Sequence, residues 1–530
     1  MRIISTATLS LALSPLAMAQ VPGDLDISFA NNGKYIQNFG FQDNLTKVRV
    51  QPWDQKIIAV GTAINTSFSG QLLVMRLNPD GTLDTSFDGD GYLIINDFTE
   101  SYAYDLVIRS DEKIVVVGTV ADPTYQFATF MMRLKADGSL DATFGTGGMV
   151  VTEMSPQDDM AHAVVELTDG SLLLAGRARN GSFLYDPIVT HFSETGVMDM
   201  TFGTSGMATL PVAGEDNNFW SLGVNPDGSI IASGHYASEI PGSGGAFQFD
   251  VLLAKFSSVG QLDPTFGTGG VVIAPMPTGK DDQAFGQVIT PAGDIVVCGY
   301  TTLMDFTYDM LLMAFDAQGS SIPSFGTSGV VTFNNADQDV AYGIERQNDG
   351  RILVAGTSGG FIFNDRDFIL ARYLDNGTLD AGFGTGGVVL TTAMAAFDEA
   401  NALTLQADGK ILVAGKGMNG SNNDAVIMRH LNDGTVGMQD LPLVHELSIH
   451  PNPARSNDRV SLRMAGTSSG QPEVRLMDLH GRTVQLDVLR SSAIDNGYMI
   501  LLPGDLAAGC YTVVLQPVSG AIAHGRLIVE

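Results

Sequence analysis

Leu140-Asp141-Ala142-Thr143-Phe144-Gly145-Thr146-Gly147-Gly148 is the segment that decides the fold, because the chain keeps returning to it. The same Leu-Asp-x-x-Phe-Gly-x-x-Gly pattern is plain at 379–387. Its Phe falls at Phe29, Phe87, Phe144, Phe202, Phe266, Phe325 and Phe383, at spacings of 58, 57, 58, 64, 59 and 58 residues. Outward from it lies a second element, Asp-Gly-Lys-Ile-Leu-Val-Ala-Gly at 408–415. Its last glycine recurs at Gly61, Gly118, Gly176, Gly234, Gly299, Gly356 and Gly415. Both series count seven, and self-similarity at a near-fixed period marks a repeat architecture.

Each unit reads as four short strands. In the last complete unit they are 387–392, 400–406, 410–415 and 424–431, rich in Val, Ile, Leu and Thr and bounded by Gly, Asp and Asn. Asp408-Gly409 sits between two of them, and those residue types tolerate the positive φ of a tight hairpin. Asp169-Gly170, Asp227-Gly228 and Asp349-Gly350 repeat the signal. No stretch sustains a helical period. Repeated four-stranded units predict an all-β, seven-bladed β-propeller, whereas a linear solenoid has shorter rungs. The strand at 34–39 has no three strands before it, and the last unit supplies only three, ending near Leu431. The N-terminal strand is therefore expected to complete the last blade, so that neither end leaves a bare sheet edge. The small residue before each repeat glycine (Val60, Val117, Ala175, Ser233, Cys298, Ala355, Ala414) marks a tightly packed face and makes Cys298 a packing residue.

Composition narrows the function classes. Of the 530 residues 58 are acidic and 28 basic, a formal charge of −30, which repels phosphate backbones and anionic headgroups. That balance weighs against nucleic-acid and membrane-surface roles. Arg2, the apolar run 3–16 and Ala17-Met18-Ala19 read as a signal peptide cut before Gln20. Cys298 and Cys510 are too few and too far apart for a disulfide framework.

The combination of Asp-Gly-Lys-Ile-x-Val-Ala-Gly with Asp-Phe-Ile-Leu-Ala-Arg-Tyr (367–373) and Asn-Gly-Thr-Leu-Asp-x-x-Phe-Gly (376–384) resembles the delta-60 repeat family of bacterial β-propellers, over residues 23–434. That resemblance implies architecture and no activity. The strand order is similar to that of NHL propellers, which places 400–406 innermost and 387–392 outermost. Beyond Gly434 the character changes. Pro451-Asn452-Pro453, then Asp478-Leu479-His480-Gly481-Arg482, then Leu506-Ala507-Ala508-Gly509-Cys510-Tyr511 resemble, in that order, the type A sorting domain of the type IX secretion system of Bacteroidota. His450 stands where that family commonly has an aromatic, and Cys510 where it has Val or Met. The resemblance implies a small C-terminal β-sandwich that guides export across the outer membrane. The expected layout is a signal peptide (1–19), a propeller (20–437), a linker (438–446) and a sorting domain (447–530), in a secreted or cell-surface protein.

No catalytic motif emerges. Gly-x-Ser-x-Gly at 356–360 and 466–470 lacks the strand-to-helix turn of a nucleophile elbow. His191 occupies a repeat slot held elsewhere by Arg76, Arg133, Lys255, Arg372 and Arg429, so it reads as a structural variant. Counting back from each Asp-Gly turn gives Asn44, Ser101, Asp159, Asn217, Asp282, Asp339 and Asp398 at the starts of the inner strands. Asp159, Asp282, Asp339 and Asp398 are thus candidate oxygen ligands for Ca²⁺ at a channel mouth, or Asx-type caps of their own turns. The fourth unit carries a longer loop, 238–247, with Trp220, Tyr236 and Phe247 nearby as candidate ligand-binding aromatics. The chain is expected to be a non-enzymatic binding or scaffold protein, recognising a glycan or a protein through one loop face. A hydrolase or lyase using the channel-mouth carboxylates and a purely structural envelope component are the alternatives.

Overall fold

The computed structural model describes residues 20–433 except 211–215, 241–246, 277–279, 361–364 and 395; beyond 433 it describes residues 445–446, 448–450, 452–456, 458–463, 473–477, 483–484, 487–489, 497–504, 506, 509–516 and 523–529. The leader, the linker up to 444, most of the 238–247 loop and the 478–482 motif lie outside these. The chain divides into two compact units, 1–434 and 435–530.

The first unit is a β-propeller of four-stranded antiparallel sheets, with no helix among the described residues. The inner strands are Gln42–Val50, Glu100–Ile108, Asp159–Glu166, Asn218–Val224, Asp282–Ile289, Gln338–Arg346 and Asp398–Leu405. The blades are numbered below in that order. Each inner strand touches the next, and the last, Asp398–Leu405, touches the first, Gln42–Val50. The fifth and sixth blades share one sheet only through a single parallel bridge, Tyr308↔Gln338. Lys34–Gln37 pairs antiparallel with Asn423–His430, from Lys34↔Met428 to Gln37↔Ala425. The outermost strand of the last sheet therefore comes from the start of the chain. Arg429 and Leu431 donate to Gly33 and Asp24 carbonyls and fasten the same junction.

The core lies between sheets, which explains strands buried on both faces. Ile57–Ile64 sends Ile58 and Val60 into a cluster with Ala103, Leu106 and Ile114 of the second blade. Its Ile57 and Ala59 point the other way, into a cluster with Leu412, Ala414 and Ile427 of the last blade. Period-two strands packed on both sides read as near-continuous apolar runs.

The repeated Phe is a wedge between blades. Phe29, Phe87, Phe144, Phe202, Phe266, Phe325 and Phe383 are all at most 3% exposed. A repeated Arg stacks on four of them: Arg76 on Phe87 at 4.7 Å, Arg133 on Phe144 at 4.8 Å, Arg372 on Phe383 at 4.6 Å and Arg429 on Phe29 at 4.6 Å. Each also pairs with the Asp of its element: Asp84, Asp141, Asp380 or Asp26. One guanidinium nitrogen then reaches the neighbouring blade, at the carbonyls of Ala136, Glu194, Asn432 and Pro79. The latch thus ties each of these blades to the next. His191 takes the Arg slot in the third blade, bonding Asp199 at 3.0 Å and Ser171 at 2.9 Å.

The second unit contains two sheets. One orders His445–Glu446, Ala523–Val529, Gly509–Gln516, Glu473–Met477 and Thr483–Val484; the other orders Ser448–His450, Arg459–Arg463, Gly497–Leu501 and Asp487–Leu489. Val460, Leu462, Leu476, Ile500, Val513 and Leu527 form its buried core.

Candidate functional site

The repeat glycine has a cause in the inner strand beside it. Every inner strand breaks register opposite that glycine, at Thr46, Tyr104, His162, Trp220, Phe285, Tyr342 and Asn401. One residue is left over in each pair, a β-bulge. The bulge drives a carbonyl against the glycine: a Cβ on Gly61, Gly118, Gly176, Gly234, Gly299, Gly356 or Gly415 would sit inside the van der Waals shell of the facing inner-strand oxygen. The glycine is therefore required by the bulge, and the bulge turns one side chain per blade toward the axis.

Five of those side chains are rings in contact. Tyr104 lies 4.8 Å from His162, His162 4.3 Å from Trp220, Trp220 5.7 Å from Phe285, and Phe285 5.2 Å from Tyr342. Asn401, bonded to Asn44 Oδ1 and the Leu45 carbonyl, and Thr46, bonded to the Ala103 carbonyl, occupy the remaining places. The Trp220 indole N–H donates to His235 Nδ1 at 3.0 Å, so that imidazole carries its proton on Nε2. Burial holds His235 down at about 3 and keeps His162 well below its ordinary value; both are neutral near pH 7.

Beside this collar lies a cavity of 240 Å³ lined by all the inner strands. Lys47, Arg49, Asp105 and Glu345 supply its charges, and Trp220, Phe285 and Tyr342 its rings. Lys47 pairs with Asp105 at 3.3 Å, whose other oxygen accepts the Val164 N–H of the next blade.

The candidate Ca²⁺ ligands do other work, and the expected channel-mouth ring is corrected here. Asp159, Asp282, Asp339 and Asp398 are 0% exposed. Asp159 accepts N–H bonds from Met154 and Ser155, Asp282 from Met276, Asp339 from Asn335 and Ala336, and Asp398 from Ala393 and Met394. Each caps the chain entering its own blade. The first-blade member is Asp43, which accepts from Phe39, and not Asn44; the first hairpin turn, between Val50 and Ile57, is one residue longer than the turn between Ile108 and Ile114 and shifts the count by one. Burial pushes Asp43, Asp159, Asp282 and Asp398 up to about 6. No three His, Cys, Asp or Glu side chains among the described residues are grouped to hold a metal ion. Donors this buried, each turned toward its own entry loop, do not fit a shared Ca²⁺.

The three aromatics singled out from the sequence sit in three settings. Trp220 is in the collar, Tyr236 packs half-buried against the core around Ile230 and Leu252, and Phe247 is half-buried opposite Glu239 at a strand end.

The rings that face solvent are others. Phe68, Tyr125, Phe183 and Phe306 are 70%, 63%, 65% and 69% exposed, in the first, second, third and fifth blades. Each stands on the turn between second and third strands, and each has φ between 63° and 67°. For a bulky non-glycine residue that backbone is strained. The turn is nearly the same each time. The aromatic N–H donates to the carbonyl three residues back, at Asn65, Asp122, Asn180 or Leu303. Asn65, Asp122 and Asn180 also brace the turn through Oδ1, accepting from Ser67 and Ser69, Thr124 and Gln126, Ser182 and Leu184. Equivalent turns of blades ranged about one axis emerge at the same end, so the four rings form a crown over the collar. Sequence reasoning missed them, although a signal exists: each aromatic stands seven residues after the repeat glycine.

Residues 54–87, 109–144, 347–383 and 406–436 match the model of a β-propeller family described as a domain of unknown function, DUF5122. These four stretches support a propeller repeat. No curated protein matches the chain. Similar solved structures include a protein of unknown function from Dyadobacter fermentans (12% identity, TM-score 0.38, covering 75% of this chain and 98% of that one). An ulvan lyase of polysaccharide lyase family 25 is similar at 10% identity and TM-score 0.41, covering 76% and 96%. A thermostable family-43 glycoside hydrolase is similar at 10% identity and TM-score 0.29, covering 59% and 96%. Their activities are mixed, and at this similarity nothing about the chemistry of this chain follows from them.

Proposed function

We propose that this chain is a secreted or cell-surface binding protein, a seven-bladed propeller closed by its N-terminal strand, that recognises a neutral glycan through the aromatic crown. The supporting observation is the crown itself: four exposed rings held at positive φ by a repeated, braced turn. Strain that survives in a rigid scaffold is found where a side chain must be presented. The rings stand on separate turns with polar neighbours, which suits stacking on successive sugar faces better than one contiguous protein hot spot. A charge of −30 disfavours anionic polymers. The C-terminal unit, two small sheets around one core, fits the β-sandwich sorting domain expected from its motifs, and the export reading rests on those motifs and the leader.

The test is a glycan array and a pull-down on wild-type protein and on a variant with Phe68, Tyr125, Phe183 and Phe306 all replaced by Asn. Saturable binding lost in the variant, with the melting temperature held, supports the reading. Uniformly negative binding beside a measurable hydrolase or lyase activity would reverse it. The carboxylates on which that alternative relied are buried caps, out of reach of a polymer. Export is tested by the mass of the mature protein, which should lack residues 1–19 and those beyond about 437.

A further inference from the structure

The axial cavity is independent of the crown and carries its own chemistry. Its charges stand on two stretches of wall with one blade between them. Arg49 and Lys47 come from the first blade, and Glu345 comes from the sixth. The blade between them lines the cavity with Asn401, Ala402 and Leu403, none of them charged. Among the described residues the Arg49 guanidinium bonds only the Val48 carbonyl, at 3.3 Å, and the Glu345 carboxylate has neither a hydrogen bond nor an ion pair. Both groups therefore line the cavity without having closed on each other. Enclosure by protein holds the Lys47 ammonium below its ordinary value and the Glu345 carboxyl above its own, as expected for under-compensated charges. The lining around Arg49 and Glu345 is only half-buried, so this end is open to solvent.

We infer that the cavity binds a small zwitterion of amino-acid size, its carboxylate on Arg49 and Lys47, its ammonium on Glu345, beneath the rings of Trp220, Phe285 and Tyr342. A simple anion meets Glu345 and Asp105, and a simple cation meets Arg49 and Lys47. Only a ligand with both charges, separated, satisfies both walls. The size follows from the volume, since 240 Å³ is below the range of about 300–1,000 Å³ typical of drug-sized sites. The rings offer an apolar, cation-tolerant surface to the remainder of the ligand.

Isothermal titration of the full chain with alanine, leucine and phenylalanine tests this, with acetate and methylamine as single-charge controls. At least one amino acid should bind saturably and neither control should match it. Glu345→Gln, which keeps shape and fold, should weaken that binding at least tenfold, and Arg49→Ala should do the same. No binding by any of the amino acids, equal binding by acetate or methylamine, or unchanged affinity in Glu345→Gln would each overturn the inference. Glycan binding by the crown stands or falls separately in its own assay.

Discussion

Arg429→Met should destabilise the propeller by about 3–5 kcal/mol, because Arg429 latches the last blade to the segment 26–29 and to the first blade. The side chain is 7% exposed, and its Nε lies 2.8 Å from Asp26 Oδ2. It also bonds the Pro79 carbonyl of the first blade and Ser28 Oγ, and it covers Phe29 at 4.6 Å. Asp26 resists protonation, its pKa held at about 2 against 3.8 by the Ser28 hydroxyl, Lys410 and Arg429 together, even though burial pulls it upward. At about 1.4 kcal/mol per pKa unit, that shift corresponds to roughly 2–3 kcal/mol of favourable interaction, of which Lys410, at 2.9 Å, retains a part in the variant. Loss of the charged bond to Pro79 adds about 1.5–3 kcal/mol and loss of the ring contact about 1 kcal/mol. The total agrees with about 3–5 kcal/mol for breaking a buried pair from one side. Guanidinium unfolding followed by tryptophan fluorescence reads it cleanly, since Trp53 and Trp220 both lie in the first unit. A single variant within 1 kcal/mol of wild type would refute the latch as a source of ring stability.

Three further outcomes follow from the same geometry. Gly176→Ala places a methyl against the Met160 carbonyl and should cost about 1–3 kcal/mol or more in chemical denaturation; a neutral result would show that the bulge is not rigid. Asp43, Asp159, Asp282 and Asp398 have folded pKa values raised to about 6, so the stability they add is full below about pH 4 and fades as pH rises through 6. Asp26 and Asp199, held at about 2, act the other way and lose theirs as pH falls toward 2. Each raised carboxylate therefore favours pH 5 over pH 8 by about 1 kcal/mol, whereas the buried His162, His235 and His430, held below their ordinary value, favour pH 8. Asp159→Asn should therefore lower stability at pH 5 relative to pH 8 by about 1 kcal/mol against wild type, and an unchanged pH 5-to-pH 8 difference in that variant would count against the burial argument. Removing residues 20–37 should lower the melting temperature of the whole ring as one cooperative change, since it strips the strand paired with Asn423–His430; a loss confined to the last blade would contradict closure.

The repeat, its strand count and the wedge Phe were legible in the sequence because they are local and periodic. Leu-Asp-x-x-Phe-Gly and Asp-Gly-Lys-Ile mark turns and hairpins through residue chemistry alone, and period-two apolar runs specify sheets packed on both faces. The asymmetry of the two ends, three strands at one and a lone strand at the other, pointed to their pairing. Even the Arg slot that His191 fills was visible by alignment of the repeats, although its bond to the next blade was not.

What only the tertiary structure decided is where each polar or aromatic side chain points. The bulge at Thr46, Tyr104, His162, Trp220, Phe285, Tyr342 and Asn401 reverses the alternation that a strand pattern assumes. It put Trp220 in the axial collar, while a first hairpin turn one residue longer than that of the second blade moved the first capping residue from Asn44 to Asp43. Asp159 and its counterparts resemble metal ligands in composition, but whether a carboxylate faces a channel or its own entry loop depends on a backbone path the sequence does not spell out. Exposure is likewise a global property: Phe68, Tyr125, Phe183 and Phe306 look like core residues until the turn that strains them is seen to lift them into solvent.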